Sequence, residues 1–256
     1  MQLCNIARER LSQCQVALGV GVRFSRSIEI VYLMRKAGFH WLFLDLEHGA
    51  MTLDTATQIA IAARDANMCA LLRIPRGDFS MATRALDNGA MGIVAPSVAT
   101  HEEAQEIVQA LKYPPMGRRS ISSNMPQFDY DGSGIANKIK QLNETTLIVA
   151  MIETRQGLSN VDAIAAVHGI DIVLIGTNDL CAEMGITGQF DHPDINLAYE
   201  QVIAACNKHG KWAGMGGVRS VELMRKHIAN GVRFVLAGSD LTHLASGAAD
   251  QVTKLS

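Results

Sequence analysis

The chain has 256 residues, of which 48% are hydrophobic and 19% are charged, and its formal net charge is −2. A length of about 250 residues is typical of a single α/β barrel, although it also allows two small domains. The near-neutral charge leaves no basic stripe that could neutralise a run of phosphates, which argues against nucleic acid as a partner.

The apolar runs of the sequence are shorter than the roughly 20 residues needed to cross a bilayer. Charges stand in the N-terminal segment, where a signal peptide would be apolar. The five cysteines are scattered singly, without the paired spacing of a zinc or redox motif, and reduced thiols are typical of the cytosol. We therefore expect a cytoplasmic protein without a membrane partner.

Eight short, nearly continuous apolar runs recur along the chain and predict β-strands. Segments with a helical spacing of apolar residues separate them, for example Ile28–Arg35 and Ile59–Ala63. The predicted strands are Val16–Val20, Trp41–Asp45, Ala70–Ile74, Gly92–Ala95, Leu147–Ile152, Ile172–Ile175, Trp212–Met215 and Phe234–Ala237.

Strands that alternate with helices predict parallel β-α units whose sheet is buried on both faces. Eight such units predict a closed (β/α)8 barrel, with a doubly wound open sheet as the main alternative. No linker or change of composition divides the chain, so we expect residues 1–256 to form one domain. The longest irregular stretch, residues 112–134, is typical of a functional or mobile loop.

Ionisable residues follow four of the predicted strands. Asp45 ends the second and His48 follows it, Arg73 lies at the end of the third, Glu153 follows the fifth and Asp179 follows the sixth. Because the active site of such a barrel lies at the carboxyl ends of its strands, we expect these side chains to converge. Packing alone does not explain that convergence.

The chemistry of these residue types indicates a metal site. Glu153 and Asp179 would supply two oxygen ligands, which suits Mg²⁺, Mn²⁺ or Co²⁺ with a shell completed by water and substrate. A 2-oxo acid can chelate such a cation, which then stabilises the enolate formed when C3 loses a proton. Arg73 would donate to the same oxygens, and His48, oriented by Asp45, would relay the proton.

Each of these residues also has a structural interpretation. Glu153 could form a surface ion pair with Arg155, and Asp179 could cap the helix that follows it. His48 could be a structural histidine, and Arg73 could be a salt-bridge partner at a strand end. The hypothesis of a site therefore depends on the whole set rather than on one residue, and we interpret the neighbouring Glu47 as structural.

Six segments, taken together, resemble the class II pyruvate aldolases typified by 4-hydroxy-2-oxoheptanedioate aldolase. The resemblance runs in order along most of the chain, and the segments after the second and fifth strands are the most specific. The segments are Trp41–His48, Leu72–Arg73, Leu86–Ala90, Tyr113–Arg119, Ile152–Arg155 and Ile175–Leu180.

The resemblance implies a (β/α)8 barrel that assembles as a homohexamer built from trimers, with the C-terminal helix exchanged between subunits. It also implies roles for individual residues. Glu153 and Asp179 would bind the divalent metal, Arg73 would stabilise the enolate, and His48 with Asp45 would relay the proton. Asp87 would join that relay from an adjacent subunit, and the backbone of Thr177, Asn178 and Asp179 would receive the substrate carboxylate.

Two positions depart from the family pattern. Met151 stands where the best-known members carry a glutamine, so we expect it to line the site of the 2-oxo acid without that polar contact. Leu46 replaces a glycine. Both departures concern the identity of the substrate more than the metal.

The expected activity is an aldolase reaction that makes or cleaves a C–C bond between a pyruvate-type 2-oxo acid and an aldehyde. The alternatives are an oxaloacetate-type decarboxylase, a hydroxypyruvate-using aldolase, and a non-catalytic 2-oxo acid binder. A Schiff-base aldolase is disfavoured because it needs a lysine at the carboxyl end of a strand. Lys211 instead precedes the seventh strand.

Overall fold

The structure, a computed structural model, describes residues 3–256 and contains eight strands in that range. They are β1 (Ala17–Val22), β2 (Trp41–Asp45), β3 (Cys69–Arg73), β4 (Gly92–Ala95), β5 (Leu147–Ile152), β6 (Ile172–Gly176), β7 (Trp212–Gly216) and β8 (Phe234–Ser239). All are parallel, each pairs with the next, and β1 also pairs with β8. The predicted closed barrel is confirmed, and the strand ends differ from the prediction by at most two residues.

Helices surround the barrel and connect consecutive strands. Short polar side chains cap several of their N-termini, as where Thr100 and Glu103 form a capping box. Those in the described range are α1 (Ile6–Ser12), α2 (Glu29–Ala37), α3 (Leu53–Asp65), α4 (Phe79–Asp87), α5 (His101–Leu111), α6 (Ile135–Thr145), α7 (Arg155–Ser159), α8 (Val161–Ala165), α9 (Thr177–Glu183), α10 (Pro193–His209), α11 (Val221–Asn230) and α12 (Asp240–Leu255), with a 3-10 turn at Pro126–Phe128.

Successive residues of each strand face opposite sides, so the sequence fills two cores at once. In β5, Ile148 and Ile152 pack against the helices, whereas Leu147, Val149 and Met151 belong to the interior of the barrel. Burial on both faces explains why the strands read as continuous apolar runs instead of alternating ones.

The N-terminal end of the barrel is closed by packing. Leu3, Ala7 and Leu11, in and beside α1, join the interior core there. The irregular segment 112–134 packs against the same end, where the buried Gln127 side chain donates to the carbonyl oxygens of Leu86 and Ala90. The opposite end, where the strands finish, is the open mouth. Within residues 3–256, no helix is long and apolar enough to span a membrane.

Candidate active site

Three charged side chains lie at the mouth of the barrel. Each occupies the next inward-facing position of its strand after the apolar residues of the interior core. Asp45 follows Trp41 and Phe43 in β2 at alternate positions, and Arg73 follows Leu71 in β3. The same alternation carries β5 from Met151 to Glu153. The strands therefore bring these groups to one level above the apolar core, as predicted.

Asp45 and Arg73 are direct register partners on β2 and β3, and their side chains form a two-point ion pair. Arg73 Nε lies 3.0 Å from Asp45 Oδ1, and Nη2 lies 2.6 Å from Oδ2. Burial favours the neutral acid, but the hydrogen bonds and charge of Arg73 outweigh it and lower the pKa of Asp45. Both groups therefore remain charged.

Asp45 orients the chain that carries His48, but not the imidazole ring. Its Oδ1 accepts hydrogen bonds from the backbone N–H groups of Glu47 and His48, each at 3.1 Å. The His48 side chain is 59% exposed, and its Nε2 lies 3.9 Å from Glu47 Oε2. Asp45 therefore bonds the backbone of His48 and the side chain of Arg73, and the proton relay through Asp45 and His48 stays a prediction.

Glu153 is 6% exposed and is held by Ser97, which follows β4. Its Oε2 accepts hydrogen bonds from the Ser97 N–H and hydroxyl, both at 2.8 Å. Ser97 adopts a positive φ of 51°, a strained conformation for a residue with a side chain. Burial and the nearby charge of Asp179 raise the pKa of Glu153, although the Ser97 bonds oppose the shift.

Asp179 lies on the first turn of α9, which begins directly where β6 ends. Two glycines, Gly176 and Gly217, leave space for the side chains of Glu153 and Asn178. A Cβ at Gly176 would lie 2.6 Å from Cγ and Oε1 of Glu153, and one at Gly217 would lie 2.7 Å from Nδ2 of Asn178. Thr177 is buried, whereas Asn178 and Asp179 are exposed at the mouth.

The donor set at the mouth fits a divalent cation held by few protein ligands. Ser97 occupies one oxygen of Glu153, and the charge of Asp179 acts on the same carboxylate. Among residues 3–256, no group of three or more His, Cys, Asp or Glu side chains could hold a metal. A cation at Glu153 and Asp179 would therefore need water and substrate oxygens, which is the usual arrangement for Mg²⁺.

Two other predicted residues are not part of the charged group at the mouth. Met151 is 4% exposed and packs in the barrel interior below Glu153, so it supplies apolar contact only. Asp87 ends α4 on the closed side of the barrel, where its Oδ1 lies 2.5 Å from Nη2 of the buried Arg119. The chain does not bring Asp87 to its own mouth.

Sequence reasoning missed two residues of the site. Ser97 follows a strand, as the other site residues do, so polar residues after β4 were the signal. Glu47 was interpreted as structural, but its Oε2 lies 3.3 Å from Arg73 Nη1. This carboxylate adds to the negative charge around the arginine.

A half-buried lysine amine and a cavity lie at the closed end of the barrel instead of at the mouth. Lys211 donates to the carbonyl oxygens of Val167 and Ile170. It therefore lies away from the carboxyl ends of the strands, where a Schiff-base lysine would be needed. A cavity of about 270 Å³ also opens there, beside Arg64 and Met68. Charge and convergence, rather than cavity depth, define the candidate site.

Comparison with known proteins identifies the family of the chain. Residues 25–247 match the family described as HpcH/HpaI aldolase/citrate lyase. A 4-hydroxy-4-methyl-2-oxoglutarate aldolase of Chaetomium globosum is 36% identical over 235 residues, covering 90% of this chain and 87% of the relative. A 5-keto-4-deoxy-D-glucarate aldolase of Shigella dysenteriae is 34% identical, covering 93% and 91%.

A solved structure shares the architecture over nearly the whole length. The crystal structure of an HpcH/HpaI aldolase from Desulfitobacterium hafniense superposes with a TM-score of 0.93 at 28% identity. The match covers 98% of this chain and 97% of that chain. The barrel and its connections are therefore those of a known aldolase structure.

Proposed function

Because the chain belongs to the HpcH/HpaI aldolase/citrate lyase family, whose named relatives here are carbon–carbon lyases, we propose that it is a divalent-metal-dependent aldolase. The reaction joins or separates a pyruvate-type 2-oxo acid, reacting as its enolate, and an aldehyde or ketone. The cofactor is Mg²⁺ or Mn²⁺, with Co²⁺ as a substitute of similar ligand preference.

One observation carries this proposal. Glu153 is buried with its pKa raised, beside a second carboxylate, and one of its oxygens is already bound by Ser97. Two adjacent carboxylates in a sheltered mouth repel each other unless a cation or a proton lies between them. A divalent cation relieves this repulsion, and a chelating substrate completes its shell.

The roles of the residues follow from their donors and charges. Glu153 and Asp179 hold the cation, which when bound supplies Lewis-acid stabilisation of the enolate oxygen. Arg73 donates two of its five N–H groups to Asp45. Its further donors can face the keto oxygen of the substrate as negative charge develops on that oxygen. Asp45 fixes the orientation of the Arg73 guanidinium.

In the cleavage direction, a base removes the proton of the C4 hydroxyl and the C3–C4 bond breaks. The electron pair of that bond passes to the 2-oxo acid fragment as its enolate, and the other fragment leaves as a carbonyl compound. A proton then reaches C3. His48, exposed at the rim, moves these protons through water, and Arg73 donates to the enolate oxygen throughout.

The relatives suggest which substrates to try first. Their names specify 4-hydroxy-4-methyl-2-oxoglutarate and 5-keto-4-deoxy-D-glucarate. Both compounds carry a ketone and more than one carboxylate. We propose that this chain also cleaves a hydroxylated oxo-diacid, and that Met151 and the backbone of Thr177, Asn178 and Asp179 line the 2-oxo acid end.

We further propose a homo-oligomer, a trimer-based hexamer, in which the last helix packs on a neighbour. Residues 241–256 of α12 are all exposed, which leaves Leu244, Val252 and Leu255 at 59%, 65% and 79% exposure. A helix that exposes such side chains is typical of an interface. Light scattering should give six chain masses, and a monomer would contradict this assembly and the supply of Asp87 to a neighbouring mouth.

Exchange of the C3 protons of pyruvate into deuterated water tests the proposed chemistry without knowledge of the acceptor. We expect exchange with Mg²⁺ or Mn²⁺ and its loss after exhaustive chelation. Exchange that survives chelation would contradict the metal role. Binding of pyruvate without exchange would identify a 2-oxo acid binder, and release of CO2 from oxaloacetate without any aldol cleavage would identify a decarboxylase.

A further inference from the structure

Two buried hydroxyl groups form a connected pair behind the mouth of the barrel. Tyr199 lies on α10 and is 1% exposed, and Thr177 is the fully buried first residue of α9. Their hydroxyl oxygens are 2.8 Å apart. Thr177 Oγ1 also lies 2.7 Å from the carbonyl oxygen of Gly216, at the end of β7. The pair therefore joins α10, α9 and the barrel wall.

The direction of these hydrogen bonds follows from the donors available. A carbonyl oxygen only accepts, so the single hydroxyl proton of Thr177 goes to Gly216. Tyr199 must then donate its proton to Thr177 Oγ1. Burial raises the pKa of Tyr199, so its hydroxyl keeps that proton at neutral pH.

Besides this hydroxyl pair, the buried Leu180 holds the first turn of α9, which has no side-chain cap. The residue before it, Gly176, makes no side-chain capping hydrogen bond, and the helix has only seven residues. So short a helix does not fix its own orientation and depends on tertiary contacts. Asp179 projects from this first turn, two residues after Thr177.

The Tyr199 ring is itself fixed in place. The ring of His227 stacks on it, with centroids 3.8 Å apart and an angle of 25° between the planes. His227 is 1% exposed, and neither of its ring nitrogens has a hydrogen-bond partner within residues 3–256. The histidine acts here as a flat packing group on α11, and it limits how far Tyr199 can move.

We infer that Tyr199 is a positioning residue of the active site, which sets the place of Asp179 by holding Thr177. The inference rests on the proposed function, because it assigns a purpose to Asp179 as a metal ligand. A tyrosine 20 positions beyond the ligand would then control metal affinity without touching the metal or the substrate.

The test compares Tyr199→Phe with Tyr113→Phe, since Tyr113 is also fully buried and donates its hydroxyl to Met125 Sδ away from the mouth. Mn²⁺ dissociation constants are measured by electron paramagnetic resonance, together with unfolding temperatures without metal. Partners behind a metal ligand contribute roughly 10- to 100-fold in affinity, so we expect Y199F to weaken Mn²⁺ binding about tenfold. Y113F should leave Mn²⁺ affinity unchanged, even if both variants unfold at lower temperatures.

Thr177 supplies the second arm of the test. Thr177→Val should weaken Mn²⁺ binding at least as much as Y199F does, and Thr177→Ser, which keeps the hydroxyl, should restore it. The double variant Y199F/T177V should bind no more weakly than T177V alone, because Tyr199 acts only through Thr177. If Y199F does not fold, the T177V and T177S pair still decides whether the hydroxyl matters.

Equal Mn²⁺ affinity in Y199F and the unchanged protein would overturn the inference, as would effects of Y199F and T177V that multiply in the double variant. Failure of T177S to restore affinity would overturn it too. A different result marks failure of the proposed function: the unchanged protein would neither bind Mn²⁺ nor exchange the C3 protons of pyruvate.

Discussion

The two ends of the barrel both bury charged side chains, but they differ in sign: buried basic groups at the closed end face acids and carbonyl oxygens, whereas carboxylates predominate at the mouth. At the closed end, Arg8 Nη2 lies 2.5 Å from Asp171 Oδ1, and Lys112 donates to the carbonyl oxygens of Asn143 and Thr146 at 2.8 and 2.7 Å. The Asn143 and Thr146 carbonyls lie at the C-terminus of α6, where the helix dipole is negative. The end of α6 thus offsets part of the cost of burying Lys112.

At the open mouth the balance is different. The carboxylates of Asp45, Glu47 and Glu153 act on the buried Arg73, and the charge of Asp179 acts on Glu153. Among residues 3–256, neither Glu153 nor Asp179 forms an ion pair, and burial makes the negative charge of Glu153 costly. The closed end therefore acts as scaffold, while the open end keeps unsatisfied charge for a ligand. Substitutions at the mouth should therefore change metal binding and activity, whereas substitutions at the closed end should change stability.

The largest expected effect is that of Glu153→Gln at the mouth. The amide oxygen can still accept the Ser97 hydrogen bonds, but the charge that holds the cation is gone. Loss of several kcal/mol of Lewis-acid stabilisation corresponds to a fall of about a thousandfold in the rate of C3 proton exchange. Stability should not fall, because burial and the charge of Asp179 already disfavour the ionised form.

Exchange rates and urea unfolding, measured on the same preparations, check this prediction. Lys112→Met, at the other end, is the matched control and should keep its exchange rate. An E153Q protein that loses activity only in proportion to a loss of folded protein would show that Glu153 is part of the scaffold, and the contrast between the two ends would disappear.

Lys112 gives the next largest effect, and it concerns stability. Burial lowers the pKa of Lys112 to about 8, below its ordinary value of 10.5. Between these values the unfolded chain binds more protons than the folded chain, so stability due to this group rises as pH rises from about 8 to 10.5. The rise amounts to about 3 kcal/mol.

Urea unfolding at pH 7.5 and pH 10 checks the sign. The free energy of unfolding of the unchanged protein, minus that of Lys112→Met, should increase with pH, because the variant lacks the titrating group. A difference that stays constant, or that falls, would mean that Lys112 is not desolvated at the closed end.

Much of this division could be predicted from the sequence. Continuous apolar runs identify the eight strands, and the first charged residues after those runs include Asp45, Arg73 and Glu153. These predictions succeed because strand periodicity and the position of the mouth are local properties of the chain. Asp179 follows from the same rule.

The remainder depends on contacts between distant segments. Register sets Asp45 opposite Arg73, so the carboxylate binds that guanidinium rather than the His48 ring. Packing of segment 112–134 buries Lys112, whose neighbours in sequence give no sign of it. Ser97 becomes a partner of Glu153 only because β4 and β5 pair and its own backbone adopts a positive φ.

Ser97→Ala gives the smallest of these effects and tests the mouth most finely. The variant keeps the backbone N–H bond to Glu153 Oε2 and loses only the hydroxyl bond. Glu153 would then turn more freely, and Mn²⁺ affinity should fall about tenfold, the lower limit for a partner behind a metal ligand. Stability should change by less than about 1 kcal/mol, since one hydrogen bond at a half-exposed residue is removed.

Titration of Mn²⁺ against the variant, with urea unfolding beside it, separates the two quantities. Unchanged affinity with reduced stability would place Ser97 with the scaffold, and would mean that the positive φ at this position serves the fold rather than the metal site.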